Sequence, residues 1–177
     1  PRGTPDRVAL TFDDGYVDFA LEALPILREF EVPATLFVVS GAIGREDYWW
    51  DRLADLGSDA AGTPAFQRLH DELAPLTPEE REARLSALAN RNGDGASAAA
   101  PQTDGSTVAE AGRPVPRRPM TVSELREVAR DPLVEIGAHS RTHPRLARIG
   151  DDRLSEEVRG SAADLADLLG RSVARFA

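Results

Sequence analysis

His139 and His143 stand four residues apart, separated by Ser140-Arg141-Thr142 and followed by Pro144. Two of the chain's three histidines therefore fall in one short segment. That spacing brings two imidazoles together if the intervening chain makes about one turn. Pro144 disfavours helical geometry at His143, so the turn is expected to end there. Neutral imidazoles suit zinc and similar divalent ions. Far upstream lies Asp13-Asp14-Gly15. Two histidines and one carboxylate would make three protein ligands and leave a position for water, the mark of a catalytic rather than a closed structural site. Adjacent side chains on a regular strand point to opposite faces. Both aspartates can face an ion only if the strand breaks, and Gly15 permits such a break. One aspartate can then bind the ion while the other takes a proton from an attacking water. Asp-Asp-Gly alone is ordinarily a turn, and a lone HxxxH is weak as well; their joint occurrence, each after a buried strand, is what gives the pair its weight.

The elements that must position these residues are legible around them. Val8-Ala9-Leu10-Thr11-Phe12 is short and apolar and reads as a buried strand ending in the Asp-Asp-Gly turn. Phe19, Ala23, Ile26, Leu27 and Phe30 recur at helical spacing, with Pro25 predicting a kink or a second helix start. Ala34 to Ser40 reads as a second buried strand closed by Gly41. Thr121 and Glu124 form a capping box, with Met120 and Leu125 as a hydrophobic staple across it. Leu133 to Ala138 is the third strand, and it delivers His139. A helix follows from about 152 to 169, with Leu154, Val158, Ala162, Leu165 and Leu169 on one face and Gly170 as its stop. Residues 173–177 read as the start of a fourth strand. Strand, helix, strand with short links favours a parallel sheet or barrel. Ligands in such folds bind at the carboxyl ends of strands, which puts both clusters at one rim.

The rhythm breaks between about 44 and 118. Trp49 to Leu56 reads as a short helix. Thr77-Pro78-Glu79-Glu80 is a capped helix start followed by Leu85, Leu88 and Ala89 on one face. Residues 91–118 are rich in Gly, Ala, Ser, Thr and Pro without periodicity and read as a loop. The region is thus a largely helical insertion in a single domain spanning 1–177. Within it, His70 sits in a polar stretch and reads as a solvated helix residue. Trp49 and Trp50 are expected to pack their helix onto the body, with stacking on a sugar ring the less favoured use. Glu156-Glu157 reads as a wet helix face.

Hydrophobic residues make up 41% of the 177, a globular composition. The net charge of -9 argues against a nucleic-acid partner. All 21 basic residues are arginine. The absence of cysteine excludes disulfides and thiolate metal sites. No apolar run approaches the roughly 20 residues of a membrane span. Residues 1–6 hold no secretory apolar stretch, leaving a cytoplasmic protein or an exported one whose leader has been removed.

Thr11-Phe12-Asp13-Asp14-Gly15-Tyr16 resembles the first motif of the polysaccharide deacetylases with a NodB-homology domain. His139-Ser140-Arg141-Thr142-His143-Pro144 resembles their second motif. The flanks Pro33-Ala34-Thr35-Leu36-Phe37-Val38, Glu135-Ile136-Gly137-Ala138-His139 and Val173-Ala174-Arg175-Phe176-Ala177 are similar too, so the likeness covers about residues 6–43 and 119–177. Tyr48 to Leu53 is similar to longer members associated with exopolysaccharide synthesis. The resemblance implies an α/β fold, a partial distorted (β/α) barrel of the glycoside hydrolase/deacetylase type. It implies removal of N- or O-acetyl groups from a polysaccharide or oligosaccharide, in exopolysaccharide or cell-wall metabolism. By motif position, Asp14, His139 and His143 would bind a divalent metal, Zn²⁺ first, with Co²⁺, Mn²⁺ or Ni²⁺ as alternatives. Asp13 would be the catalytic base. The family carries further motifs after the fourth strand, supplying an arginine that orients the base, an oxyanion donor and a general-acid histidine. The third motif is expected where the chain ends, at Ala177, so on this reading the chain is the metal-binding half of the site. The competing expectations are a catalytically incomplete fragment that only binds metal or carbohydrate, and an interaction module working through the 44–118 insertion.

Overall fold

The computed structural model describes residues 8–56, 62–93 and 115–177. Three strands, β1 (Leu10–Phe12), β2 (Ala34–Val38) and β3 (Val134–Ala138), form a parallel sheet in the order β1-β2-β3. The register sets Phe12 against Leu36 and Val38 against Ala138. Phe176 continues the sheet with a parallel bridge to Ala138, where a fourth strand was expected to begin. β2 is central, and Leu36 and Val38 are completely buried, as parallel strands covered on both faces require. β1 departs from the expectation of a buried strand: Val8 and Leu10 are exposed, because β1 is an edge strand paired only with β2 among the described residues.

The helix after β1 opens with a π turn, Phe19–Ala23, closed by a bond from the Leu24 N–H to the Phe19 carbonyl. Helix α1 (Leu24–Glu29) restarts at Pro25, the second start that the proline predicted. Proline has no N–H to give to the carbonyl four residues back, so the ladder breaks there. The extra residue of the π turn shifts the apolar stripe. Phe19, Leu24 and Leu27 are buried, while Ile26 and Phe30, expected on that face, are 56% and 67% exposed.

Helices α2 (Trp49–Leu56), α3 (Pro64–Leu73) and α4 (Pro78–Gly93) fall in the region expected to be an insertion. They close on their own core of Leu53, Leu73 and Leu85. Thr63 caps α3 by accepting from the Phe66 N–H, and Thr77 with Glu80 forms the expected capping box of α4. His70 is corrected by the structure: it is only 22% exposed and stacks on Trp49 with ring centroids 4.9 Å apart, because α3 turns this face toward α2. Residues 94–114, most of the expected loop, lie outside the described residues, and 91–93 close α4.

Helix α5 (Val122–Val128) carries the complete capping box of Thr121 and Glu124, and Met120 and Leu125 are both fully buried. The single helix expected over 152–169 is instead α6 (Asp151–Ser155), a π turn (Glu156–Gly160) and α7 (Ser161–Leu169), ending at Gly170 in the left-handed region (φ 67°). Its buried line is Glu157, Ser161 and Leu165. Glu156 is exposed as expected, but Glu157 is only 4% exposed, which overturns the reading of that pair as solvated. The main core joins Leu36, Val38, Ile136 and Ala138 of the sheet to Leu24, Leu27, Leu125, Val128 and Leu165 of the helices. Burying each such leucine or isoleucine contributes roughly 1.5–3 kcal/mol.

Candidate metal centre

The parallel order sets the carboxyl ends of β1 and β3 on the same rim, on either side of β2. At the end of β1 the strand does break: Asp14 has φ 71° and Gly15 φ 89°. The Asp14 carbonyl accepts from the Val39 N–H at 3.1 Å and from the Tyr48 hydroxyl at 2.8 Å. At the end of β3 the His139 N–H donates to the Val38 carbonyl. The chain then reverses through Ser140 (φ 61°) and His143 (φ 54°) rather than through a helical turn. The Ser140 hydroxyl accepts from the His143 N–H at 3.0 Å. Left-handed non-glycine residues cost roughly 1–3 kcal/mol each, so their clustering here points to a site that needs this geometry.

Asp14, His139 and His143 converge. Nε2 of each histidine lies 3.6 Å from Asp14 Oδ1. The ligand atoms of the three all fall within 4.8 Å of one another. A separation of 3.6 Å is too long for a hydrogen bond. It suits two donors sharing a tetrahedral ion, whose bonds of about 2.1 Å set them about 3.4 Å apart. Asp14 Oδ1 is buried without a hydrogen-bond partner, and so is His143 Nδ1. His139 Nδ1 lies 2.8 Å from the Ala177 carbonyl. That carbonyl can only accept, so Nδ1 carries a proton and the ring is held with Nε2 toward Asp14. Asp13, the proposed partner carboxylate, is exposed and stands outside this cluster, near enough for its charge to raise the Asp14 pKa.

The electrostatics suit a cation. Burial, with help from Asp13 and Asp51, pushes the Asp14 carboxyl above its usual range despite His139. Burial, followed by the neighbouring His139, pushes His143 down to about 4, so its imidazole is neutral at pH 7. A half-buried carboxylate and two imidazoles, that of His143 neutral, around one unpaired oxygen form a donor set that a divalent ion would satisfy.

Tyr48 and Trp50 wall the site. Trp50 packs on His143 with ring centroids 4.6 Å apart, stacks on Tyr48, and donates its indole N–H to the Tyr16 hydroxyl at 2.7 Å. That hydroxyl donates in turn to the buried Asp51 at 2.8 Å. Of the two tryptophans expected to pack their helix onto the body, Trp50 does so, while Trp49 packs among α2, α3 and α4, under the Arg81 guanidinium. An open cavity of about 380 Å³ is bounded by Tyr48, Trp50, Arg81 and Thr142 but by none of the three ligand candidates, so it lies beside the cluster. Sequence reading missed Glu157, which accepts from the Arg141 and Thr142 N–H groups, and Arg81, which donates to the Thr142 carbonyl. The available signal was spacing: Glu157 stands in line with Ser161 and Leu165, and Arg81 with Leu85 and Leu88.

With fold and site in view, the class is defined: the family model for polysaccharide deacetylase matches residues 2–177, and the chain belongs to the polysaccharide deacetylase family. It is 28% identical over 80 residues to YxkH of Bacillus subtilis (strain 168), a protein assigned by name to the polysaccharide deacetylases. That stretch is 45% of this chain and 29% of YxkH. In fold it is similar to the Streptococcus pyogenes deacetylase PplD, solved in complex with acetate, at a TM-score of 0.50 and 18% identity over 98% of this chain and 46% of PplD. The deacetylase domain of BpsB from Bordetella bronchiseptica aligns at 0.48 and 20% identity over 98% of this chain and 55% of that one. The chain thus spans less than two thirds of the length of each of these relatives. The PplD likeness agrees with the expected partial (β/α) barrel.

Proposed function

We propose that this chain supplies the metal-binding residues of a hydrolase site that removes N- or O-acetyl groups from a polysaccharide or oligosaccharide. The observation that carries the reading is the unpaired, buried Oδ1 of Asp14 facing Nε2 of both His139 and His143. Family membership supports the acetylated-saccharide substrate. The reaction adds water to the acetyl carbonyl carbon and breaks its C–N or C–O bond, releasing acetate and a free amine or hydroxyl on the sugar. A divalent ion, Zn²⁺ in the first instance, bound by Asp14, His139 and His143 would supply Lewis acidity for that chemistry. The neutral His143 keeps a lone pair available for it, and the His139 Nδ1 contact with the Ala177 carbonyl orients that ring with Nε2 toward Asp14. Asp13, exposed beside the cluster, is free to take the proton of the attacking water. The 44–118 insertion belongs to this same domain, with Tyr48 and Trp50 as its contacts to the site.

Metal content and acetate release from acetylated oligosaccharides, with and without added Zn²⁺, test the proposal in the protein that contains this chain. Asp14→Ala and His143→Ala should lose bound metal. Asp13→Asn should keep it and lose turnover. Metal retained in both alanine variants would overturn the ligand assignment. Stoichiometric metal with no acetate release from any acetylated saccharide would leave the metal- or carbohydrate-binding module.

A further inference from the structure

From the Ser140 carbonyl to the His143 N–H, each main-chain polar group has a hydrogen-bond partner. The Ser140 carbonyl accepts from the Ser40 N–H at 3.2 Å, and the Arg141 carbonyl accepts from the Gly41 N–H at 3.0 Å. The Arg141 and Thr142 N–H groups both donate to one oxygen of Glu157, at 2.7 and 2.8 Å. The other Glu157 oxygen accepts from the Thr142 hydroxyl at 2.5 Å. The Thr142 carbonyl accepts from Arg81 at 2.9 Å. Every polar group of Thr142, the residue before the left-handed His143, is therefore gripped by Glu157 or Arg81.

Neither gripping residue is on the surface. Arg81 is 3% exposed and Glu157 4%. Arg81 also donates to the carbonyls of Leu73, Ala74 and Leu76, where α3 ends, and lies 4.4 Å over the Trp49 ring. A guanidinium has the donors and the rigid fork to serve several carbonyls at once, which an ammonium does not. Glu157 protrudes from the π turn that interrupts the last helix, and such turns frequently mark functional positions. The two residues come from elements far apart in the chain and meet at one residue, Thr142.

Resting on the metal-site reading above, we infer that Arg81 of the insertion and Glu157 are positioning residues for His143. Glu157 holds the Arg141 and Thr142 N–H groups and Arg81 holds the Thr142 carbonyl, and together they fix the backbone orientation that sends the His143 imidazole toward Asp14. The insertion is then part of the metal centre's support, because its α4 helix fixes a carbonyl one residue from a ligand. Loss of either grip lets the peptide rotate and His143 relax from φ 54° toward ordinary backbone.

The test uses the purified wild-type protein, Arg81→Met (which keeps the apolar stem over Trp49), Arg81→Lys and Glu157→Gln. Zn²⁺ affinity, the visible absorption spectrum of the Co²⁺ form and the apo melting temperature are measured for each. Arg81→Met and Glu157→Gln should bind Zn²⁺ about 10- to 100-fold more weakly, with a shifted Co²⁺ spectrum. Arg81→Lys should recover part of the affinity. If Arg81→Met does not fold, Glu157→Gln and Thr142→Val carry the comparison. Folded variants with wild-type affinity and a wild-type Co²⁺ spectrum would overturn the inference, even with a lowered melting temperature, since that pattern means structural support alone. A wild-type protein that binds no divalent ion would instead defeat the metal reading, and the inference with it.

Discussion

Trp50 lies against His143, ring on ring at 4.6 Å, while its indole N–H is tied to Tyr16. The contact shields one face of the imidazole from water, and burial is the leading cause of the low His143 pKa. Trp50→Ala should therefore move the His143 pKa up from about 4 toward the ordinary 6.5 in the metal-free protein. The ring-proton chemical shift of His143, followed by NMR against pH, measures this. A midpoint that stays put assigns the shielding to other neighbours.

The same pKa dictates a sign for stability in the metal-free protein. The unfolded chain protonates His143 near 6.5 and the folded chain only near 4. Between these values the unfolded state binds more protons, so this residue's contribution to stability rises with pH. It is complete above 6.5 and lost as pH falls through about 4. Denaturant midpoints for wild type and His143→Asn across pH 4–7 should diverge accordingly, the wild type losing more stability on acidification.

Glu124 works in a lower window. It accepts from the Thr121 N–H at 2.7 Å and from both terminal nitrogens of Arg118 at 2.9 and 2.8 Å. Arg118, then the cap bonds, hold its carboxyl down to about 2 from the usual 4.5. Its stabilisation is present above 4.5 and disappears as pH falls through about 2. Glu124→Gln should cost about 1 kcal/mol at pH 7, with no difference from wild type remaining near pH 2. Urea unfolding at both pH values checks it.

Gly137 pairs with Phe37 across β2 and β3, and a Cβ there would meet the Phe37 ring at 2.4 Å. Gly137→Ala should destabilise the domain by about 1–3 kcal/mol, as overpacking does. Because β3 delivers His139, Zn²⁺ affinity should fall as well. Thermal unfolding and metal titration of the same sample report the two effects.

Much of the architecture was legible in the residues alone. The two motifs each follow an apolar run, and parallel topology leaves one rim where strand ends meet, so the Asp13-Asp14 pair could be matched with His139 and His143 across the chain; the choice of Asp14 over Asp13 came from the family resemblance. The capping boxes at Thr77 and Thr121 and the stop at Gly170 are local chemistry, complete within four residues, and they stand where the sequence placed them. Periodicity failed at the two π turns. A single extra residue rotates every later side chain, so Ile26 and Phe30 came out exposed and Glu157 went in.

What the sequence by itself determined is the set of donors and the strands that carry them, because hydrophobic runs, turns and caps are encoded by neighbours in the chain. Only tertiary structure decided the support: Arg81 on the Thr142 carbonyl, Tyr48 on the Asp14 carbonyl and Trp50 on the His143 ring. A buried guanidinium or carboxylate has the same letter as a solvated one. Its role depends on which unpaired backbone groups the fold brings within 3 Å, and that is a property of packing between distant segments.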